Sequence, residues 1–287
     1  MNSLLKQVKN DMKQGILNEY VKYVVAVIIM TFLTVDFTMS VGHGFAIGKT
    51  DTSTMSITDV LLYIFKGMKE YNPNGRTQFE MPTSYILLNF SLAFIVGNYP
   101  MKDLLGFGKN VLVRSKNRAS WWLSKCIWNI VTVVSFYGIL FGVILITCAI
   151  KGDFSFEPTV SICTKIIGID ITQETKYVDI GLLLISLYVL PILTSLALSM
   201  FQMAMAFITS PVISYMMIVA ILLGAAFYNN QFLLGNYFMM IRNQTLLENG
   251  FHTYIAIIAD CFVFVVSAVA GYLYFRKCDI LEKHGMV

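Results

Sequence analysis

Three groups of residues in this 287-residue chain have the type and spacing to do chemistry. The run His43-Gly44-Phe45-Ala46-Ile47-Gly48-Lys49-Thr50 ends like a phosphate-binding loop. That motif needs a small residue where His43 sits, and it follows a buried strand, whereas this run follows a long apolar stretch. The chain therefore carries no ATPase site of its own. Asp36 and Asp260 each stand inside an apolar stretch, where a charge is costly and usually has a reason. At ~1.5 Å per helical residue, Asp36 lies ~21 Å from Lys22 and Asp260 ~24 Å from Arg276. Both acids thus fall at similar depth in the outer half and could flank a polar cavity that accepts a cationic group, although headgroup contact or protonation is the favoured account of them. Cys126, Cys148, Cys163, Cys261 and Cys278 form no CxxC pair, so neither a disulfide framework nor a zinc site is signalled. His43, His252 and His284 lie in connecting segments or the tail, which leaves no nucleophile, base or metal set at one depth for an intramembrane peptidase. No enzymatic activity and no metal are expected.

The elements that hold these residues are apolar. Hydrophobic residues make up 56% of the chain and charged residues 13%, with a mean hydropathy of +0.67. A soluble globule of that composition would expose too much apolar surface, so lipid must cover the excess. The fold class expected is all-α, a single polytopic membrane domain over 1–287, because no polar segment is long enough to bury a core of its own. A hydrocarbon core of ~30 Å needs ~20 helical residues. Six stretches approach that length: Tyr20 to Met39, Ser84 to Met101, Leu123 to Ile150, Ile180 to Phe207, Pro211 to Tyr228 and Tyr254 to Phe275. Asn89, Asn98 and Pro100 dilute the second. Pro191 is expected to kink the fourth. The first stretch has no small-residue cleavage site after it and reads as a retained span. The net charge of +4 is too small to suggest nucleic acid.

The basic residues orient the chain. With the N-terminus inside, thirteen of the 21 lysines and arginines fall on the cytoplasmic side: Lys6, Lys9, Lys13 and Lys22, then Lys102, Lys109, Arg114, Lys116, Arg118 and Lys125, then Arg276, Lys277 and Lys283. Both termini are therefore expected in the cytoplasm of a cell-membrane protein. Residues 1–19 carry a narrow apolar stripe, Leu4, Leu5, Val8, Met12 and Ile16, fit for a helix along the inner membrane surface. Met55, Ile57, Val60, Leu61, Ile64, Phe65 and Met68 suggest a second amphipathic helix on the outer surface. Residues 229–253 mix Phe232, Tyr237 and Phe238 with Asn236, Arg242 and Asn243, the pattern of an outer re-entrant loop. Gly138 with Gly142, and Ser195 with Ser199, allow close helix packing, with a partner in the same chain as the default. Asn243-Gln244-Thr245 matches a glycosylation acceptor that arises often by chance.

The segment 102–118 carries charge interrupted by Gly106, Gly108 and Asn110, followed by Trp121-Trp122, which on its own would read as an interfacial tryptophan belt. The run Gly108-Lys109-Asn110-Val111-Leu112-Val113-Arg114-Ser115-Lys116-Asn117-Arg118 and then Trp121-Trp122-Leu123-Ser124-Lys125 resembles the coupling segment and the start of the third helix in bacterial type-2 permeases of ATP-binding-cassette exporters. Six spans, the amphipathic N-terminal helix and the loop before the last span extend that resemblance over the whole chain. It implies a dimeric pathway made with a second permease copy or a paralogue, and a separate ATPase dimer that holds ATP and magnesium. It implies docking through Leu104, Leu105, Phe107, Lys109, Arg114, Lys116 and Arg118, and a cargo such as an amphipathic peptide. Two other readings are a channel or ion-coupled transporter using Asp36 and Asp260, and a permease-like immunity or sensor protein. The lack of an internal inverted repeat counts against the first of these.

Overall fold

A computed structural model describes residues 2–69, 81–106, 108–109, 112, 117–169, 180–247 and 250–278. Over these the chain is helical, with no strand. Its elements are α1 (Asn2–Met12), continued by a π-helical turn Lys13–Leu17, α2 (Tyr20–Ala46), α3 (Ile57–Phe65), α4 (Thr83–Gly97), α5 (Tyr99–Leu105), α6 (Arg118–Lys151), α7 (Gly181–Ile208), α8 (Pro211–Phe227) and α9 (Thr253–Lys277). Helices α2, α6, α7 and α9 are long and apolar enough to cross a membrane. Helices α2, α6 and α9 each bury one stripe and turn much of the rest outward, whereas α7 is central and leaves only Gly181, Ile185, Val189 and Ile208 exposed. In α2, Tyr23, Ala26, Met30, Phe37 and Val41 face the core while Val24, Ile28, Phe32 and Met39 are exposed, the spacing of a helix packed on one side only. The exposed apolar belt continues through Ile258, Phe262, Val265 and Val269 of α9. A surface this apolar needs lipid around it.

The two shorter helices differ from the expected spans for local reasons. Helix α4 stops at Gly97, and Pro100 starts α5 at its first turn, because proline has no N–H to continue the α4 ladder and suits a helix start. The expected second span thus breaks into two helices. Helix α8 begins at Pro211, with the Ser210 hydroxyl accepting from the Ile213 N–H. Helix α7 carries a π-helical turn over Ile185–Val189 just before Pro191. The extra residue in that turn accommodates the missing proline N–H, and the Pro191 carbonyl accepts from Tyr137 at 3.0 Å.

Helix α3 corrects the expectation of a surface helix. All its residues except Tyr63 are buried, within the core formed by α2, α4 and α6. Ile57, Val60, Leu61, Leu62, Ile64 and Phe65 form a broad apolar face against the core, and the opposite side is buried because its polar residues find partners in neighbouring segments. Its polar residues are all used. Asp59 accepts from the Ser56 N–H at 2.9 Å in a capping box and from the Thr159 N–H at 2.8 Å, and Thr58 donates to Phe156 O at 2.7 Å.

The segment before α9 is folded into the protein around Arg242, which is 2% exposed. Its guanidinium donates to Ala225 O at 2.6 Å, Ala226 O at 2.9 Å, Met68 O at 2.9 Å and Lys69 O at 3.3 Å, and to the Asn236 side chain. A planar fork of donors thereby closes the C-terminal end of α8 onto the segment after α3. Asn243 is buried, bonded to Thr253 and to the Thr245 N–H, so the acceptor pattern there is not an accessible one. The Gly138-Gly142 pair also departs from expectation, since a Cβ at either position would meet nothing within 4 Å. Ser195 and Ser199 do allow close approach within the chain, hydrogen-bonding Tyr137 and Asn129 of α6, each at 2.8 Å.

Candidate functional site

At ~1.5 Å per residue, the 34-residue α6 is ~51 Å long and outruns a ~30 Å hydrocarbon core by several turns. Its first turns carry Trp121, Ser124 and Lys125, and there the N-terminal helix, α5 and α6 meet. Lys125 is fully buried, its ammonium 2.5 Å from Asp11 of α1 and 2.7 Å from Asp103 of α5. The Asp11 carboxylate also accepts from Tyr99 OH at 2.9 Å and from the Ser124 hydroxyl. Asp103 accepts from Trp121 Nε1 at 3.2 Å. The ammonium lies 4.8 Å from the Tyr99 ring and 4.9 Å from the Trp121 ring, so aromatic faces share the charge. Two carboxylates on one ammonium leave a net negative charge, offset by three neutral donors. Removing any charged member would strand a buried partner.

Two glycines make the junction possible. A Cβ on Gly15 would stand 2.3 Å from Trp128 Nε1 and 2.9 Å from Tyr99 Cδ1, and one on Gly108 would stand 2.2 Å from Asp103 Oδ2. Gly108 thus interrupts the basic segment because its backbone lies against the Asp103 carboxylate. Within residues 4–19, Gln7, Asp11 and Gly15 are the buried ones, about one helical turn apart, and they lie against α6. Leu5 and Leu17 are more than half exposed. The helix thus presents Gln7 and Asp11 to the protein together with the partly buried Met12 and Ile16, and leaves Leu5 uncovered. Replacing Gly15 with leucine is expected to push α1 off α6. It should raise protease cleavage within residues 1–19, with a smaller effect on the overall melting temperature, as read by limited proteolysis beside a thermal ramp.

Beside the junction, Glu19 bridges Lys22 and Lys102, both at 2.7 Å. Burial pushes the Glu19 carboxyl up, but hydrogen bonds and charge from Lys102 and Lys22 outweigh it and hold the group below its ordinary value. A depressed folded value means that this bridge stabilises the fold above pH 4.5 and is lost as the pH falls through the lower folded value. The acid-side slope of thermal stability should therefore flatten in Glu19→Gln. The effect is small because Lys102 is largely exposed.

The residues expected to dock a partner divide. Leu104 is buried against Trp121, Trp122, Met203 and Phe207, and Leu105 packs partly on the same cluster. Arg118 donates to the carbonyls of Phe275, Arg276 and Cys278 at 3.1, 2.9 and 2.7 Å, closing the C-terminal end of α9. Lys109 is half-buried. Phe107, Arg114 and Lys116 lie outside the described residues. Trp121 and Trp122 form no interfacial belt. They are buried, Trp121 stacked on Phe275 at 4.7 Å and Trp122 donating to Ala268 O at 3.0 Å, and a Cβ on Gly271 would collide with Trp122.

Asp36 and Asp260 have separate partners. Asp36 is exposed on α2 and accepts from Tyr63 OH at 2.5 Å. Asp260 is 1% exposed and accepts from Thr194 of α7 at 2.6 Å. The junction residues Asp11, Asp103 and Lys125 were not predictable as a set, because they lie far apart in sequence. The available signal was the single acid of α1, spaced by four from Gln7 and Gly15.

An all-helical membrane protein with an N-terminal helix tied by buried charge to its longest span is the class these features define. Residues 53–281 match a family described as a protein of unknown function, DUF2705, and the chain belongs to that family. No curated protein matches the chain.

Proposed function

We propose that this chain is the membrane-spanning subunit of an ATP-driven exporter, with six spans, both termini cytoplasmic, and a separate ATPase dimer binding ATP and magnesium. The observation that carries this reading is the Lys125 junction. It joins the surface helix, the segment after the second span and the foot of the third span through buried charges that cannot separate cheaply. A push on 102–118 would move α1 and α6 as one body, which is what an external motor needs from a permease. Leu105, Phe107 and Lys109, with Arg114 and Lys116, form the docking patch in this proposal. Leu104 and Arg118 support it from inside. Two copies, or a copy and a paralogue, enclose the pathway, and the cargo is an amphipathic peptide or similar apolar molecule leaving the cell.

Co-purification tests the reading. A nucleotide-binding subunit recovered in fixed stoichiometry supports it. A lone stable oligomer with ion conductance would favour a channel, and a chain that binds cargo without any ATPase would favour an immunity or sensor protein. Within the exporter, Phe107→Ala and Leu105→Asp are expected to reduce ATPase recovery several-fold while Lys109→Arg leaves it unchanged, since apolar anchors dominate interfaces and rim charges add little. Membrane insertion checked alongside separates lost docking from lost folding.

A further inference from the structure

We propose that the groove between α2 and α6 binds an anionic phospholipid, with its acyl chains in the groove and its phosphate on Lys151. The site stands apart from the Lys125 junction, and the argument for it does not rest on the exporter reading. The groove encloses about 780 Å³, within the range of small-molecule sites. Its walls are Val27, Val35 and Met39 of α2 and Ile146 and Ile150 of α6, with Gly42 leaving one wall open. Two of its three threonines turn their hydroxyls to the backbone, Thr38 donating to Thr34 O at 2.7 Å and Thr147 to Val143 O at 2.8 Å, and Thr31 and Ser53 are its other polar neutral lining residues. The lining is thus mainly hydrocarbon, with one charged residue, Lys151, at the end opposite the Lys125 junction.

Length and charge select the occupant. From Val27 to Gly42 the groove runs ~22 Å, enough for an acyl chain crossing one leaflet of a ~30 Å core. Lys151 closes α6, is exposed, and makes no ion pair among the described residues. Its methylene stem can follow the apolar wall while the ammonium reaches headgroup depth. There it meets a phosphate oxygen in a charge-assisted hydrogen bond. A zwitterionic lipid carries its own cation beside the phosphate and competes with Lys151, which favours a lipid with net negative charge.

The test uses full-length protein in detergent, stripped of lipid and then exposed to vesicles of phosphatidylglycerol or phosphatidylcholine, with retained lipid counted by native mass spectrometry. Gly42→Trp fills the groove from a position with nothing within 4 Å of its Cβ, so it should fold with an unchanged melting temperature. Lys151→Glu reverses the headgroup contact and Lys151→Arg keeps it. The expected result is phosphatidylglycerol retained by the wild type and Lys151→Arg, and lost from Gly42→Trp and Lys151→Glu. Equal retention by all four proteins, or retention of phosphatidylcholine as strong as that of phosphatidylglycerol, would overturn the proposal. A change of oligomeric size in Gly42→Trp would overturn it too, by assigning the face to a second copy.

Discussion

Lys125→Met is expected to lower the stability of the solubilised protein by about 3–5 kcal/mol, because it leaves two carboxylates buried without their shared cation. Asp11 and Asp103 are 4% and 6% exposed at their side chains, so water cannot replace the lost ammonium. Their remaining donors, Tyr99, Ser124 and Trp121, are neutral and do not balance the charge. Removing the stranded charges as well should rescue the fold. The triple variant Lys125→Met, Asp11→Asn, Asp103→Asn removes all three charges; the asparagine at position 103 keeps an acceptor for Trp121, and the one at position 11 accepts from one of Tyr99 and Ser124 while its NH2 donates to the other hydroxyl, which can rotate to accept. It should regain most of the stability, since a buried ion cluster is often replaceable by neutral groups of similar volume. Thermal unfolding of the single and triple variants is the measurement, and a triple variant as unstable as Lys125→Met would refute the electrostatic account. Under the exporter reading the triple variant should also uncouple: it would fold and bind the ATPase, yet transport less cargo per ATP hydrolysed.

The second large effect is expected at Arg242. Replacing it with methionine strands four carbonyls, those of Ala225, Ala226, Met68 and Lys69, together with the buried Asn236 side chain. At about 1–3 kcal/mol for each buried polar group left without a partner, even partial exposure of the set implies a loss of several kcal/mol. Lysine should not rescue, because a single ammonium cannot reach acceptors spread over α8 and the segment after α3. The loss should be local first. Limited proteolysis is expected to cut within 229–253 in Arg242→Met and Arg242→Lys well below the temperature at which α2, α6 and α7 melt. Resistance of that segment in both variants would show that apolar packing of Tyr237, Phe238, Met239 and Met240 holds it without the guanidinium.

The helical membrane class and four long spans were legible in the sequence, because burying a backbone in lipid demands long, uninterrupted apolar helices, and α2, α6, α7 and α9 are such helices. Pro100 and Pro211 likewise marked their helix starts, since a missing N–H is a local fact. Other features depended on what stands opposite. The α3 residues read as amphipathic by spacing, yet their burial required α2, α4 and α6 to close around them. Leu104 and Arg118 belonged to a basic surface segment in sequence, and only the approach of α7 and α9 turned one into core and the other into a helix cap. Lys125 is the clearest case. In sequence it was one more lysine satisfying the positive-inside rule. Asp11 and Asp103 reach it only through tertiary packing, across 114 residues in the first case. A charge announces its cost wherever it stands in the sequence, but the partner that makes its burial tolerable is chosen by the fold.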